Sequence, residues 1–277
     1  MEAVAAQASD LERAKLELAE KLGSKNQKYV RFVLAALGSV PWVGGLLGAM
    51  AGLSSEKDQD KVNEFQRLWL EEHKAKMKLL AGTIQEVLSR LDGFGEDVQR
   101  RIESQEYLTL VRRTFRSWDE ADTDEKRQMF KQLLTNAGAI TLCPDDLVRL
   151  FIHWIEDYHE AHFMVIKAIY QNPSITRGSV WDKIKGDRPQ EDSAEADLFR
   201  YLIRELSTGG VIRQEREVNS SGEFLRHRSP GRVRGHTSSS TMESAFEDEK
   251  GYQLTKLGAQ FVHYVMEDVV PQITEEN

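Results

Sequence analysis

The sequence predicts a mainly α-helical protein with a small pair of strands near its C-terminal end. Apolar residues recur at helical spacing over most of the 277 residues, and only six prolines interrupt them. Two short stretches in the last third predict strands: the alternating VIRQEREV (211–218), and GYQL (251–254) as the strand that returns beside it. A chain of this length has room for two domains.

Composition excludes several classes of protein. The formal net charge of −8 argues against a general nucleic-acid binder, because phosphate binding depends on clustered Lys and Arg. The single cysteine, Cys143, excludes an internal disulfide and a cysteine-based metal site, and it fits a reducing cytoplasm. We expect no secretory signal, because several carboxylates precede the first apolar run.

Residues 1–54 are expected to form an amphipathic helix followed by a glycine-rich apolar hairpin. Ser9 and Glu12 make a capping box at the start of the helix. The charge-free run 32–53 follows, and Pro41 divides it into two limbs because proline breaks or kinks a helix. Neither limb alone is long enough to cross a bilayer core of about 30 Å.

Three glycines in this run share one helix face. Gly44, Gly48 and Gly52 stand four residues apart, and a glycine inside a helix costs about 1 kcal/mol relative to alanine. Their common face lets another backbone approach closely, as in a glycine zipper. One interpretation is a tight helical hairpin buried in a bundle, with Trp42 filling the gap between its limbs.

The other interpretation is a membrane-active segment that is buried or self-associated at rest. It assigns membrane or oligomer contact to Trp42 and the three glycines. It assigns contact with lipid headgroups to Lys25, Lys28 and Arg31. These cations precede the apolar run, and no acidic residue lies among them. A homo-oligomer, a partner protein or membrane lipid would then be the partner.

The middle of the chain is expected to be a helical stalk. Residues 55–118 predict a long helical hairpin around the turn DGFG (92–95), and 119–158 predict a helical connector. The first connector helix has the expected buried face Met129, Phe130, Leu133, Leu134 and Ala137. The second has the expected buried face Leu147, Leu150, Phe151, Trp154 and Ile155.

Residues 159–277 are expected to form a third, mixed region. The predicted order is three helices, a strand, a long polar loop (219–250), a strand and a closing helix. The three helices are expected over 159–171, from a cap at Ser174 to 184, and over 194–207; the closing helix is expected over 255–268. This order resembles a winged helix-turn-helix over residues 159–268, with a two-stranded wing.

Two features of this region bear on DNA binding. The helix 194–207 would enter a major groove, but its N-terminal end is acidic and phosphates would repel it. The wing is basic, and Arg226, Arg228, Arg232 and Arg234 are candidate contacts to a nucleic acid or a partner. A protein-docking or sensing role is favoured, and a DNA-binding regulator or nucleic-acid sensor is the alternative.

Four side chains around residues 153–162 have spacing that can build a metal site. His153 and Asp157 are four apart, and His159 and His162 are three apart. Solvation of helix surfaces is the favoured interpretation, so we expect no metal and no cofactor. The sequence holds no nucleophile elbow, Walker loop, dinucleotide fingerprint or metalloprotease helix, and we therefore expect a protein that is not an enzyme.

A family resemblance covers about residues 119–172. The segments DEKRQMFKQLLTNAG and DDLVRLFIHWIEDYHEAHFMVIKAIYQNP resemble bacterial proteins of the abortive-infection-alpha type. The Leu-Ser-Pro start expected for the second helix is replaced by residues 157–160 (DYHE). The resemblance implies phage resistance without established catalytic residues. We expect a cytoplasmic bacterial defence protein, peripheral or inducible at the inner membrane, that docks on or perturbs that membrane.

Overall fold

The computed structural model describes four stretches of the chain, residues 29–47, 64–139, 143–215 and 244–266. They are mainly helical, with one small antiparallel sheet. They form two compact units. The first holds the described residues up to Asp157 and those from Tyr264 onward, and the second holds Tyr158–His263.

The elements of the first unit are all helices. They are α1 Val30–Ser39, α2 Pro41–Leu47, α3 Glu64–Asp92, α4 Glu96–Glu103, α5 Gln105–Glu120, α6 Asp124–Ala139 and α7 Asp145–Asp157. The chain continues with α8 Glu160–Gln171, β1 Ile175–Thr176, α9 Arg177–Ile184, α10 Ala194–Thr208, β2 Ile212–Gln214, β3 Gly251–Leu254 and α11 Lys256–Val265.

Helix α1 lies in the core of the first unit and packs mainly against α5. Phe32 is fully buried, and its ring lies 6.2 Å from that of Tyr107 and 6.1 Å from that of Phe115. Other buried residues of α1 and α2 include Val33, Ala36, Leu37, Val43 and Leu46. Much of the apolar run that the structure describes therefore contributes to a protein core.

The predicted hairpin over 55–118 is only partly correct. The turn at 92–95 is present, but the second helix is broken at Ser104, whose hydroxyl accepts a hydrogen bond from the Tyr107 amide and caps α5. Helix α3 packs mainly against α6 and not along α5. The reason is visible in its buried face, Leu80, Ile84, Val87 and Leu91, which meets the apolar face of α6.

The two predicted connector helices exist, and their faces were predicted unequally well. All five residues expected in the buried face of α6 are buried. On α7 the residues Phe151, Trp154 and Ile155 are buried, whereas Leu147 and Leu150 are half-buried. Val148 and Ile152 are buried in their place because the helix is rotated toward them.

The first unit is completed by a residue from near the end of the described chain. The backbone oxygen of Tyr264 accepts a hydrogen bond from the Asn136 amide, and its hydroxyl accepts one from the backbone N–H of Cys143. Both bonds are buried. The pKa of the Cys143 thiol is raised because the group is buried, so this cysteine is an inert core residue.

The sheet of the second unit has three strands where the sequence predicted two. The order is β1-β3-β2, all antiparallel, with Ile175 opposite Tyr252 and Ile212 opposite Leu254. The missed strand β1 is two residues long and has no pattern of its own. β2 ends at Gln214, before the predicted limit of 218, and β3 matches the predicted GYQL.

Helix α9 begins later than predicted. Its cap is Thr176, whose hydroxyl accepts from the Ser179 amide, and Ser174 instead adopts a positive φ of 67°. At Gly258 a Cβ would lie only 2.9 Å from the carbonyl carbon of Val211, so glycine allows α11 to approach the backbone of Val211, between α10 and β2.

Several predicted features lie outside the described residues. These are the helix that begins at Ser9, the cations Lys25 and Lys28, the glycines Gly48 and Gly52, and the part of the wing that carries Arg226, Arg228, Arg232 and Arg234.

Candidate functional site

The described part of the apolar run forms two short helices that meet at 98°. No single described helix is long and apolar enough to cross a membrane, and α1 with α2 meets that criterion only as a bent pair. Two side-chain hydrogen bonds flank the pair. The Tyr29 hydroxyl donates to Asp92 over 2.6 Å, and the Trp42 indole N–H donates to Asp119 over 2.7 Å.

The side chains of Tyr29 and Trp42 both contact other residues of the first unit. Burial raises the pKa of Tyr29 to about 12, and the hydrogen bond to Asp92 adds to that shift. The ring of Trp42 is half-buried and lies edge-on to His73, with 5.5 Å between ring centres. In this arrangement Trp42 contacts the bundle through its N–H and ring edge. Arg31 lies at the exposed side of α1.

Two glycines of this pair, Gly38 and Gly45, do not serve close packing against the described residues. Gly38 and Gly45 are exposed, and a Cβ at either position would find no described atom within 4 Å. Gly44 is half-buried. The outer surface of α1 and α2 is therefore smooth and uncharged at these positions, while the opposite surface is core.

A second candidate site is a groove in the second unit, which we call the arginine groove. Its volume is about 550 Å³, and four guanidinium-bearing residues line it: Arg177, Arg200, Arg204 and Arg213. Arg200, Arg204, Ser207 and Thr208 follow i, i+4, i+7 and i+8 spacing, so they share one face of α10. Arg213 on β2 and Arg177 at the start of α9 supply the other walls.

The arginines of this groove differ in how they are held. Arg200 pairs with Glu191 and Asp197, which fix its guanidinium. Arg177 donates from Nε to the Tyr252 hydroxyl over 2.7 Å and lies over the ring of that tyrosine. Arg204 is exposed and has no ion pair among the described residues. The buried Nε of Arg200 has no acceptor among them either.

The start of α10 is acidic, as the sequence predicted. Ser193 caps the helix by accepting from the Ala196 amide, and Glu195 and Asp197 occupy the first turn. Two large apolar side chains, Leu198 and Tyr201, are more than half exposed on this helix. The exposed surface of the first half of α10 is therefore acidic and apolar, in contrast to the arginine groove.

The four candidate metal ligands do not converge. His153 pairs with Glu156 and Asp157 on its own helix, while His162 is buried and bonds to Glu205 over 2.9 Å. The described residues contain no group of three or more His, Cys, Asp or Glu side chains placed to hold a metal ion. His162 is a buried structural histidine of the second unit.

Comparison with protein-family models, with curated proteins and with solved structures finds no match. The site geometry therefore provides the basis for assigning a function. The sequence pattern predicts the apolar run but not the arginine groove, because the arginines of the groove are distributed over residues 177–213. The available signal was the i, i+4 pair Arg200 and Arg204 followed by an arginine in the next strand.

Proposed function

We propose that the protein is a non-enzymatic bacterial defence protein that docks on the inner membrane through α1 and α2. One observation carries this proposal: Gly38 and Gly45 are exposed, and a Cβ at either position would meet no described atom within 4 Å. A glycine kept for packing inside the chain has a neighbour at van der Waals distance from the Cβ position, whereas these two have open space. Their surface suits an external apolar partner.

The buried side of the pair defines the resting state of this proposal. Phe32 and Val43 anchor it in the first unit, and Asp119 holds Trp42. Docking would use the outer surface first, and deeper insertion would require the pair to leave the bundle. The second unit then senses the trigger or binds a partner. The defence role in this proposal depends only on the sequence resemblance of residues 119–172 to abortive-infection-alpha proteins, since no family model matches the chain.

The test is retention of the full chain by liposomes that contain anionic lipid. Deleting 32–53 would remove core residues, so a point substitution is the sharper variant. Gly45→Glu adds a charge where there is open space, and a charge placed in a bilayer costs about 2.5–3.5 kcal/mol. We expect it to lower retention at least tenfold. Gly45→Leu should preserve or raise retention because leucine favours the bilayer.

The matched control is Gly82→Glu on α3, since a Cβ at Gly82 also meets no described atom within 4 Å. It should leave retention unchanged. Equal retention of the two glutamate variants would contradict the proposal, and so would a wild-type chain that never floats with the vesicles.

A second candidate is a winged helix-turn-helix that binds DNA or a nucleic-acid trigger. The order of elements α8, β1, α9, α10, β2, β3, with a sheet of order β1-β3-β2, supports this candidate because it agrees with the order expected for a winged helix. The acidic first turn of α10 opposes entry into a major groove. In the proposal, DNA affinity therefore depends on the wing.

The test of this candidate is duplex binding after the four wing arginines, Arg226, Arg228, Arg232 and Arg234, are replaced by alanine. The substitution should abolish any DNA affinity. The proposal predicts that charge reversal at Glu195 and Asp197 does not alter sequence preference. If it does, and if the wing variant still binds duplex tightly, then α10 and not the wing contacts the DNA bases.

A further inference from the structure

We propose that the arginine groove binds a compact phosphate-bearing ligand of about nucleotide size. The first argument is shape. A volume of about 550 Å³ lies within the range of roughly 300–1,000 Å³ that is typical of small-ligand sites. The lining combines four guanidinium groups with hydroxyl and amide side chains, and phosphate oxygens accept hydrogen bonds from both kinds of group.

The second argument is preorganisation. Guanidinium groups recognise phosphate best when their planes are fixed, since less side-chain entropy is then lost on binding. Arg200 is held by Glu191 and Asp197, and Arg177 is held by Tyr252. Tyr252 is itself held, because its hydroxyl also accepts a hydrogen bond from Gln214 over 2.8 Å.

The third argument is unused bonding capacity. The exposed Arg204 has no ion pair among the described residues. A phosphate oxygen in the groove would supply an acceptor to Arg204, whose side chain is open to solvent.

The fourth argument favours a compact ligand over a nucleic acid. The carboxylates Asp192, Glu195 and Asp197 are exposed at the N-terminal end of α10. A duplex or a long single strand extends beyond the groove and approaches them, at an electrostatic cost. A ligand with one to three phosphates stays within the groove, near Arg204 on the C-terminal half of the same helix.

The experiment is calorimetric titration of the full chain with inorganic pyrophosphate and, separately, with adenosine triphosphate. Both should bind, and equal affinity would mean that the phosphates alone are recognised. Arg204→Ala should weaken each affinity about tenfold, as expected for one lost charge-assisted hydrogen bond. Arg213→Ala should do the same from the opposite wall. Arg204 is exposed and without a described ion pair, so its variant should keep the wild-type melting temperature.

The control is Lys183→Ala on α9, which removes an exposed cation outside the groove and should leave both affinities unchanged. The proposal is wrong if the wild-type chain binds neither probe, or if Lys183→Ala weakens binding as much as Arg204→Ala does. It is also wrong if duplex or single-stranded DNA binds a hundredfold more tightly than either probe. The role of this ligand as a trigger depends on the proposed function, whereas its binding is measured without vesicles, so the two can fail separately.

Discussion

At the scale of single residues, His162 shows how the second unit fixes a protonation state. Its Nδ1 accepts a hydrogen bond from the backbone N–H of His159, so Nε2 carries the proton that is donated to Glu205. Burial lowers the pKa of His162 below its ordinary value of 6.5, and the hydrogen bond to Glu205 only partly opposes that shift. The folded chain therefore holds this imidazole neutral.

The sign of the pH dependence follows from this lowered pKa. Below pH 6.5 the unfolded chain takes up a proton at His162 that the folded chain resists, so the free energy of unfolding falls as pH falls. We expect a loss of at most about 1.4 kcal/mol per pH unit from this group. The pKa of Glu205 is lowered from an ordinary value of 4.5, so its contribution lies below this window.

The measurement is urea unfolding, followed by circular dichroism, at pH 8 and pH 5.5. His162→Gln does not titrate, and its amide can both accept and donate, so the loss on acidification should be smaller in this variant than in the wild type. Identical pH dependence in the two proteins would mean that the imidazole is not held neutral.

At the scale of elements, the apolar pair α1 and α2 combines a core surface with an open one. Asp119 accepts the only hydrogen bond recorded for the Trp42 indole among the described residues. Asp119→Ala should therefore lower stability by about 0.5–1.5 kcal/mol and raise liposome retention, because one contact that holds the pair in the bundle is lost.

Asp119→Asn is the matched control, since its amide oxygen can still accept from the indole N–H. It should retain wild-type behaviour in both thermal melts and flotation. A lower melting temperature in Asp119→Ala without any change in retention would make α1 and α2 an ordinary part of the core.

The elements also show which features a sequence pattern can predict. The buried face of α6 was predicted correctly because its five apolar residues, at helical spacing, all lie on one side of the helix. The helix that packs against α3 was not predicted correctly. Several helices have an apolar face that could pack against the apolar face of α3, and the sequence pattern does not distinguish among them. β1 was missed because two residues have no measurable periodicity, and its existence depends on pairing with β3.

At the scale of the whole molecule, the first unit is assembled from two distant stretches of the chain. Tyr264 supplies an acceptor to the Cys143 backbone N–H across 121 residues. Tyr264→Phe removes that acceptor while keeping the ring against Phe151, which lies 6.0 Å away. We expect the variant to lose about 1–3 kcal/mol of stability, because a buried donor is left unpaired.

Tyr201→Phe is the comparison variant, since Tyr201 is 53% exposed and water can replace its hydroxyl bond. It should cost less than Tyr264→Phe in the same thermal melts. A larger cost at Tyr201 would mean that the contact between Tyr264 and Cys143 contributes little to the fold.

The arginine groove could not be located from sequence for a related reason. Arg177, Arg204 and Arg213 belong to three different elements, and only the strand pairing and the packing of α9 and α10 bring them around one volume. The apolar run was recognisable because its signal is contiguous. Its surroundings were not, since the pattern contains no information about what faces Gly38 or Gly45.

The position of Tyr264 near the end of the described chain also delays completion of the first unit during synthesis. Asn136 precedes it by 128 residues, and at about 5–20 residues per second the ribosome needs roughly 6–26 seconds to make that interval. For most of this time the second unit is being translated, and the nascent first unit lacks the Tyr264 acceptors for Asn136 and Cys143. The apolar helices α1 and α2 are already outside the ribosome by then. The first unit is least stable before the chain is finished. Under the proposed function, a nascent or truncated chain would therefore release α1 and α2 to a membrane more easily than the completed protein.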